Sequence, residues 1–123
     1  MRVADVMTGA SITESPAESL RNAAAVMWKR QTGSLLIMDG DDVAGIVTER
    51  DLMKAVARGD DLDATPVSAV MTRQLLTVGP DTSVAEAARH MATRGIRHLP
   101  VMSDGRLVGM VSQRDLCKIL SEA

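Results

Sequence analysis

The chain has 123 residues, 46% hydrophobic and 24% charged, which suits one compact domain or two very small ones and not a disordered chain. With no Phe, no Tyr and one Trp it lacks aromatic platforms for single-stranded nucleic acid, and a net charge of −2 without any basic run argues against a phosphate-backbone partner. A single cysteine, Cys117, excludes an intrachain disulfide and any multi-cysteine metal site.

The apolar runs are far shorter than a membrane span, and Met1-Arg2-Val3-Ala4-Asp5 lacks the apolar core of a secretory signal. The sequence therefore reads as a soluble cytoplasmic protein. Its interior must be built from aliphatic side chains and from the nine Met.

Shifting the sequence by 64 residues aligns Val3–Val56 with Val67–Leu120 without a gap. Val6-Met7-Thr8 falls on Val70-Met71-Thr72, Pro16 on Pro80, Met27 on Met91, Gly45 on Gly109, and Arg50-Asp51-Leu52 on Arg114-Asp115-Leu116. The chain is a tandem duplication, divided into a first copy over 1–60, a linker over 61–66 and a second copy over 67–123. So small a copy buries only about 60% of its surface alone, so the two halves are expected to share an interface.

Each copy predicts the same elements in the same order. A weak first strand falls near Ser11-Ile12-Thr13, and near Leu75-Leu76-Thr77 in the second copy. Pro16 with Ser19, and Pro80 with Asp81-Thr82-Ser83, signal a helix start. Leu20, Ala23, Ala24 and Met27 then recur at helical spacing, as do Val84, Ala87, Ala88 and Met91, with Arg94-Gly95 closing the second of these helices. Two apolar runs follow in each copy, Leu35–Met38 and Val43–Val47, then Leu99–Met102 and Leu107–Val111. Asp39-Gly40-Asp41-Asp42 and Ser103-Asp104-Gly105-Arg106 join them as hairpin turns, and their near-continuous apolarity predicts strands covered on both faces. A last helix runs from about Thr48 to Ala57, and from Ser112 to Leu120.

The chemistry concentrates at the junction of last strand and last helix. Gly45-Ile46-Val47-Thr48-Glu49-Arg50-Asp51 and Gly109-Met110-Val111-Ser112-Gln113-Arg114-Asp115 share one pattern. Thr48 and Ser112 suit helix caps, answered by a carboxylate three residues on. The same geometry suits a ligand: a helix N-terminus favours phosphate, a carboxylate can take two ribose hydroxyls, and glycine allows a ligand close approach to the strand. Both readings stand together.

With these motifs, the Val-Met-Thr opening of each copy and the segment Gly95-Ile96-Arg97-His98-Leu99-Pro100-Val101, the sequence resembles a cystathionine-β-synthase (CBS) domain pair, or Bateman module, over about residues 3–121. The resemblance implies an α/β (α+β) fold, with tandem β-α-β-β-α repeats packed by their sheets about a pseudo-twofold axis. It also implies two clefts for adenosine-containing ligands: AMP, ADP or ATP, with NAD and S-adenosylmethionine as further candidates. One cleft would join Ile46, Thr48 and Asp51 with Ile96, Arg97 and His98. There Asp51 would hold the ribose, Thr48 a phosphate or ribose oxygen, Ile46 the adenine face, and Arg97 with His98 the phosphate. The other would join Met110, Ser112 and Asp115 with Thr32, Gly33 and Ser34. It lacks the Arg-His pair, so unequal occupancy is expected, with the Arg97 cleft tighter for nucleotides. A homodimer paired through helices is implied as well.

No nucleophile elbow, dinucleotide fingerprint or Walker loop is present, so a regulatory module that is not an enzyme is expected, without an obligatory cofactor or metal and acting on an effector in trans. The alternatives are a scaffold whose motifs only cap helices, and a redox or metal sensor using Cys117, Met and His. His90 reads as a surface residue and Cys117 as an inert core-side residue. Arg50 and Arg114 are expected to pair with neighbouring acids, and Trp28, which stands where the second copy has Ala92, is assigned to an interface.

Overall fold

The computed structural model describes residues 1–8 and 13–122. Two compact units emerge, one from Ile12–Gln74 and one from Met1–Ser11 with Leu75–Ala123. Each unit therefore takes its opening segment from the other copy of the repeat. Val67 and Met71 lie in the core of the first unit, and Val3, with Met7 packed against it, in that of the second.

The first unit contains β1 (Thr13–Glu14), α1 (Leu20–Arg30), β2 (Ser34–Asp39), β3 (Asp42–Thr48) and α2 (Glu49–Arg58). Its sheet has the order β1-β2-β3, with β1 parallel and β3 antiparallel to β2. The second unit holds α3 (Val84–Arg94), β4 (His98–Ser103), β5 (Arg106–Ser112) and α4 (Gln113–Glu122), with β4 and β5 antiparallel. Among the described residues no helix is long and apolar enough to cross a membrane.

The caps form where the sequence places them. Ser19 and Ser83 accept the backbone N–H groups of Asn22 and Glu86 at the starts of α1 and α3. Residues 58–66 are docked on the first unit: the Leu62 and Thr65 carbonyls accept N–H groups of Arg21 and Leu20 at the N-terminus of α1. The hairpin turns differ. Only Gly40 has positive φ in the first, whereas both Asp104 (52°) and Gly105 (76°) do in the second, the type I′ pattern. Four successive residues of β2, Ser34–Ile37, are buried, in keeping with a strand covered on both faces.

The weak first strand is corrected. Ser11 and Ile12 lie outside the described residues, and Thr13 pairs with Leu36. In the second unit Leu75-Leu76-Thr77 forms no strand; Val78 alone bridges Val101 in parallel. Pro100, which stands where the first copy has Leu36, accepts the Val78 N–H through its carbonyl at 3.1 Å but has no N–H to return. One ladder bond is lost, and the strand shrinks to a bridge.

Each core gathers one face of each helix and the buried side of the sheet. In the first unit these are Leu20, Ala23 and Met27 of α1, Leu35, Ile37 and Val47 of the strands, and Ala55 of α2. In the second they are Ala87 and Met91 of α3, Leu99, Val101 and Val111, and Leu116 of α4.

Candidate functional site

The junction of β3 and α2 is a reciprocal capping box. The Asp51 N–H donates to Thr48 Oγ1 at 3.3 Å, and the Thr48 N–H returns a bond of 2.9 Å to Asp51 Oδ2. The Thr48 hydroxyl also donates to Oδ2, at 3.1 Å. The junction of β5 and α4 repeats this: the Asp115 N–H donates to Ser112 Oγ at 3.1 Å, and the Ser112 N–H to Asp115 Oδ2 at 2.8 Å. Thr48, Asp51, Ser112 and Asp115 are all half-buried. Among the described residues both carboxylates use only Oδ2 in the cap, which leaves Oδ1 outside it.

A second contact fixes the loop before each hairpin. The Glu49 N–H donates to the Gly33 carbonyl at 3.0 Å, and the Gln113 N–H to the Arg97 carbonyl at 2.8 Å. Each unit thus brings its own loop against its own cap. Thr32, Gly33 and buried Ser34 adjoin Thr48 in the first unit, where Thr32 Oγ1 donates to the Ser34 carbonyl at 3.1 Å. Ile96, exposed Arg97 and half-buried His98 adjoin Ser112 in the second, and His98 pairs with Ser112 in the sheet. Ile46 and Met110 are buried one strand step before the caps.

Gly45 and Gly109 have a different task from the one the sequence suggested. A Cβ on Gly45 would stand 2.7 Å from the Thr72 carbonyl oxygen and 2.9 Å from Met71 Sδ. On Gly109 it would stand 2.7 Å from the Thr8 oxygen and 2.8 Å from Met7 Sδ. The space beside each glycine is filled by the Met-Thr pair of the opening segment, not held for a ligand. The neighbouring Ile46 and Thr72 exchange backbone bonds of 3.0 and 2.9 Å, as Met110 and Thr8 do at 3.2 and 2.9 Å. The signal was visible as two shared motifs, Val-Met-Thr and Gly, whose contact only the fold reveals.

Other residues also depart from expectation. Cys117 is exposed, since it lies one position past core Leu116 on the outer side of α4. Arg50 and Arg114 are exposed, and among the described residues neither forms an ion pair: their side chains leave the helix into solvent, while the recorded pairs, such as Arg21–Asp63 and Arg58–Asp60, lie elsewhere. His90 is half-buried and lies 3.7 Å from Glu86 one turn earlier. Among the described residues no three His, Cys, Asp or Glu groups gather as a metal site. The second unit has a cavity of about 400 Å³ between α3 and α4, which meets the predicted set at Ile96 and Arg97.

Two copies of a helix-and-hairpin unit, each with a hydroxyl-and-carboxylate cap after its last strand, define a tandem-repeat α+β module. The sequence profile of the CBS domain matches residues 3–58 and 67–122, and the chain belongs to the CBS domain family. It is 35% identical over 115 residues to the CBS domain-containing protein YhcV of Bacillus subtilis, covering 93% of this chain and 81% of that one. Its fold is similar to the CBS-domain containing protein ATU1752 from Agrobacterium tumefaciens, with a TM-score of 0.93, 30% identity and coverage of 98% and 99%. It is also similar to the CBS domain pair of protein MJ0100, solved in complex with 5′-methylthioadenosine and S-adenosyl-L-methionine, with a TM-score of 0.91, 28% identity and coverage of 99% and 97%.

Proposed function

We propose that this chain is a regulatory CBS module that binds adenosine-containing ligands at its two capping boxes and is not itself catalytic. The observation that carries the reading is the state of Asp51 and Asp115. Each spends one carboxylate oxygen on its helix cap and keeps the other for a ligand, where a ribose diol is the matching donor pair. The likeness to the MJ0100 pair, whose ligands both carry adenosine, supports that ligand class.

The contacts proposed use the residues implied by the family, grouped as each unit brings them together: Ile46, Thr48 and Asp51 with Thr32, Gly33 and Ser34 in the first, and Met110, Ser112 and Asp115 with Ile96, Arg97 and His98 in the second. Arg97 makes the second set the better phosphate binder. AMP, ADP and ATP are the leading candidates, followed by S-adenosylmethionine and NAD. Two copies of the chain pair as a homodimer, and the ligand shifts the balance between two arrangements that an effector protein distinguishes. Such a shift requires unequal affinity for the two arrangements. A thermal-shift screen with these ligands tests the reading: one or more should raise the melting temperature of wild type, and less so that of Asp51→Ala or Asp115→Ala. No shift from any of them would favour a scaffold in which the boxes only cap helices.

A further inference from the structure

The cavity of the second unit can be compared position by position with the first, because each residue lining it has a counterpart 64 positions earlier. It is a groove of about 400 Å³ between α3 and α4, within the range of small-molecule sites. Buried Met91 and Leu116 form its floor, and half-buried Ile96 with exposed Ala92, Cys117 and Leu120 its sides. At one end stand the guanidinium of Arg97 and the amide of Gln113, the first residue of α4. Four differences from the first unit bear on this groove. Trp28 and Met53 stand where Ala92 and Cys117 leave room, and Gly33 and Glu49 stand where Arg97 and Gln113 do. Two of these differences open the groove, and two turn its end from acidic to basic. We infer that the groove is a binding site for a small amphipathic carboxylate of the medium-chain fatty acid class, with the alkyl chain along α3 and α4 and the carboxylate on Arg97.

Shape and charge both favour this ligand class. From Gln113 to Leu120 the groove follows α4 for about 10 Å, at a rise of about 1.5 Å per residue, which is the reach of an octanoate or decanoate chain. Trp28 is the only aromatic residue of the chain, so the second unit offers no Phe, Tyr or Trp on which a ring could stack. Met91, unbranched and polarizable, moulds instead to an alkyl chain. At the charged end the five donors of a guanidinium suit a carboxylate, which they can take in two parallel bonds, and the Gln113 amide adds another donor. In the first unit Glu49 would set like charge against the ligand, and Trp28 occupies the position over which the alkyl chain would lie. The inference goes beyond the adenosine reading and does not depend on it. Ile96 and Arg97 are common to both, but Ala92, Leu116, Cys117 and Leu120 belong to neither capping-box set.

Calorimetric titration of the full chain with decanoate, below the concentration at which it forms micelles, tests the site. About one decanoate should bind per chain. Octanoate, shorter by two methylenes, should bind more weakly by up to about fifteenfold. Decyltrimethylammonium, the same chain length with the opposite charge, should bind at least tenfold more weakly than decanoate. Cys117 is the only cysteine, so the rate of its alkylation by iodoacetamide reports occupancy and should fall as decanoate saturates. Ala92→Trp gives the second unit the side chain that the first carries at this point, and should abolish both the heat and the protection. Arg97→Gln should weaken decanoate at least tenfold. Both positions are exposed, so circular dichroism should be unchanged in each variant. Binding that survives Ala92→Trp, or alkylation at an unchanged rate under saturating decanoate, overturns the site. Binding lost in Ala92→Trp but kept in Arg97→Gln, or a cation that binds as well as decanoate, overturns the carboxylate as its ligand. Absence of both heat and protection in wild type overturns the inference and leaves the adenosine reading untouched.

Discussion

Gly45 lies against Met71 so closely that a methyl group on its α-carbon would stand 2.9 Å from the sulfur and 2.7 Å from the neighbouring Thr72 carbonyl. Gly109 bears the same relation to Met7. The thioether could yield, but the carbonyl is held by the Ile46–Thr72 backbone pair. Gly45→Ala and Gly109→Ala should therefore each destabilise the fold, by about 1–3 kcal/mol as over-packing does. Urea unfolding checks this, and a wild-type midpoint in both variants would mean that the opening segments do not bind as described.

A second relationship sets Gln31 against Gly95, which close α1 and α3 at the same point of the repeat. Both are left-handed, with φ of 55° and 65°. Gln31 holds this conformation while its side-chain amide donates to the Trp28 carbonyl at 2.8 Å. Gln31→Gly should stabilise the protein by about 0.5–1 kcal/mol, and Gly95→Gln should destabilise it by a similar amount, because glycine alone adopts positive φ without steric cost. Thermal melting of the two variants should move in opposite directions.

The position of Glu14 makes stability depend on pH. Burial, and then the charge of Glu18, hold its carboxyl above the ordinary value of 4.5, while Glu18 is held below it by the Asn22 amide and the Ser19 N–H. A raised folded-state value means that Glu14 favours the fold when protonated, and that this contribution is lost as pH rises from about 4.5 through its folded value. Glu18 acts in the opposite sense: its contribution is present above 4.5 and is lost as pH falls below that. Glu14→Gln should raise the urea midpoint at pH 7 and lose the advantage near pH 4, whereas Glu18→Gln should lower it at pH 7. An equal midpoint for Glu14→Gln and wild type across that range would refute the coupling.

Most of the secondary structure was legible because the repeat states each element twice. Ser19 and Ser83, Thr48 and Ser112, and the two turns mark boundaries through local chemistry that needs no distant partner. What was not legible depends on contacts distant in sequence. Pro100 shortens a strand only because Val78 docks beside it. Gly45 reads as room for a ligand until Met71, twenty-six residues later, is seen to fill that room. Cys117 was assigned to the core by a helical phase one residue off, since Leu116 faces inward. The exchange of opening segments between copies has no local signal, because a strand edge and a Met-Thr pair look alike whichever copy supplies them. The candidate site was legible at the level of Thr48-Asp51 and Ser112-Asp115, whose capping hydrogen bonds follow from spacing alone.

The account turns on whether the capping carboxylates also bind ligand, and one calorimetric experiment decides it. Wild type, Asp51→Ala and Asp115→Ala are titrated with AMP, ADP, ATP, S-adenosylmethionine and NAD, after unfolding curves confirm that loss of a cap costs each variant only about 0.5–2 kcal/mol. At least one ligand should bind wild type, with Asp115→Ala losing the tighter, phosphate-favouring site beside Arg97 and Asp51→Ala keeping it. Absence of binding by folded wild type, or affinities unchanged in both variants, would contradict the account and leave the two boxes as helix caps alone.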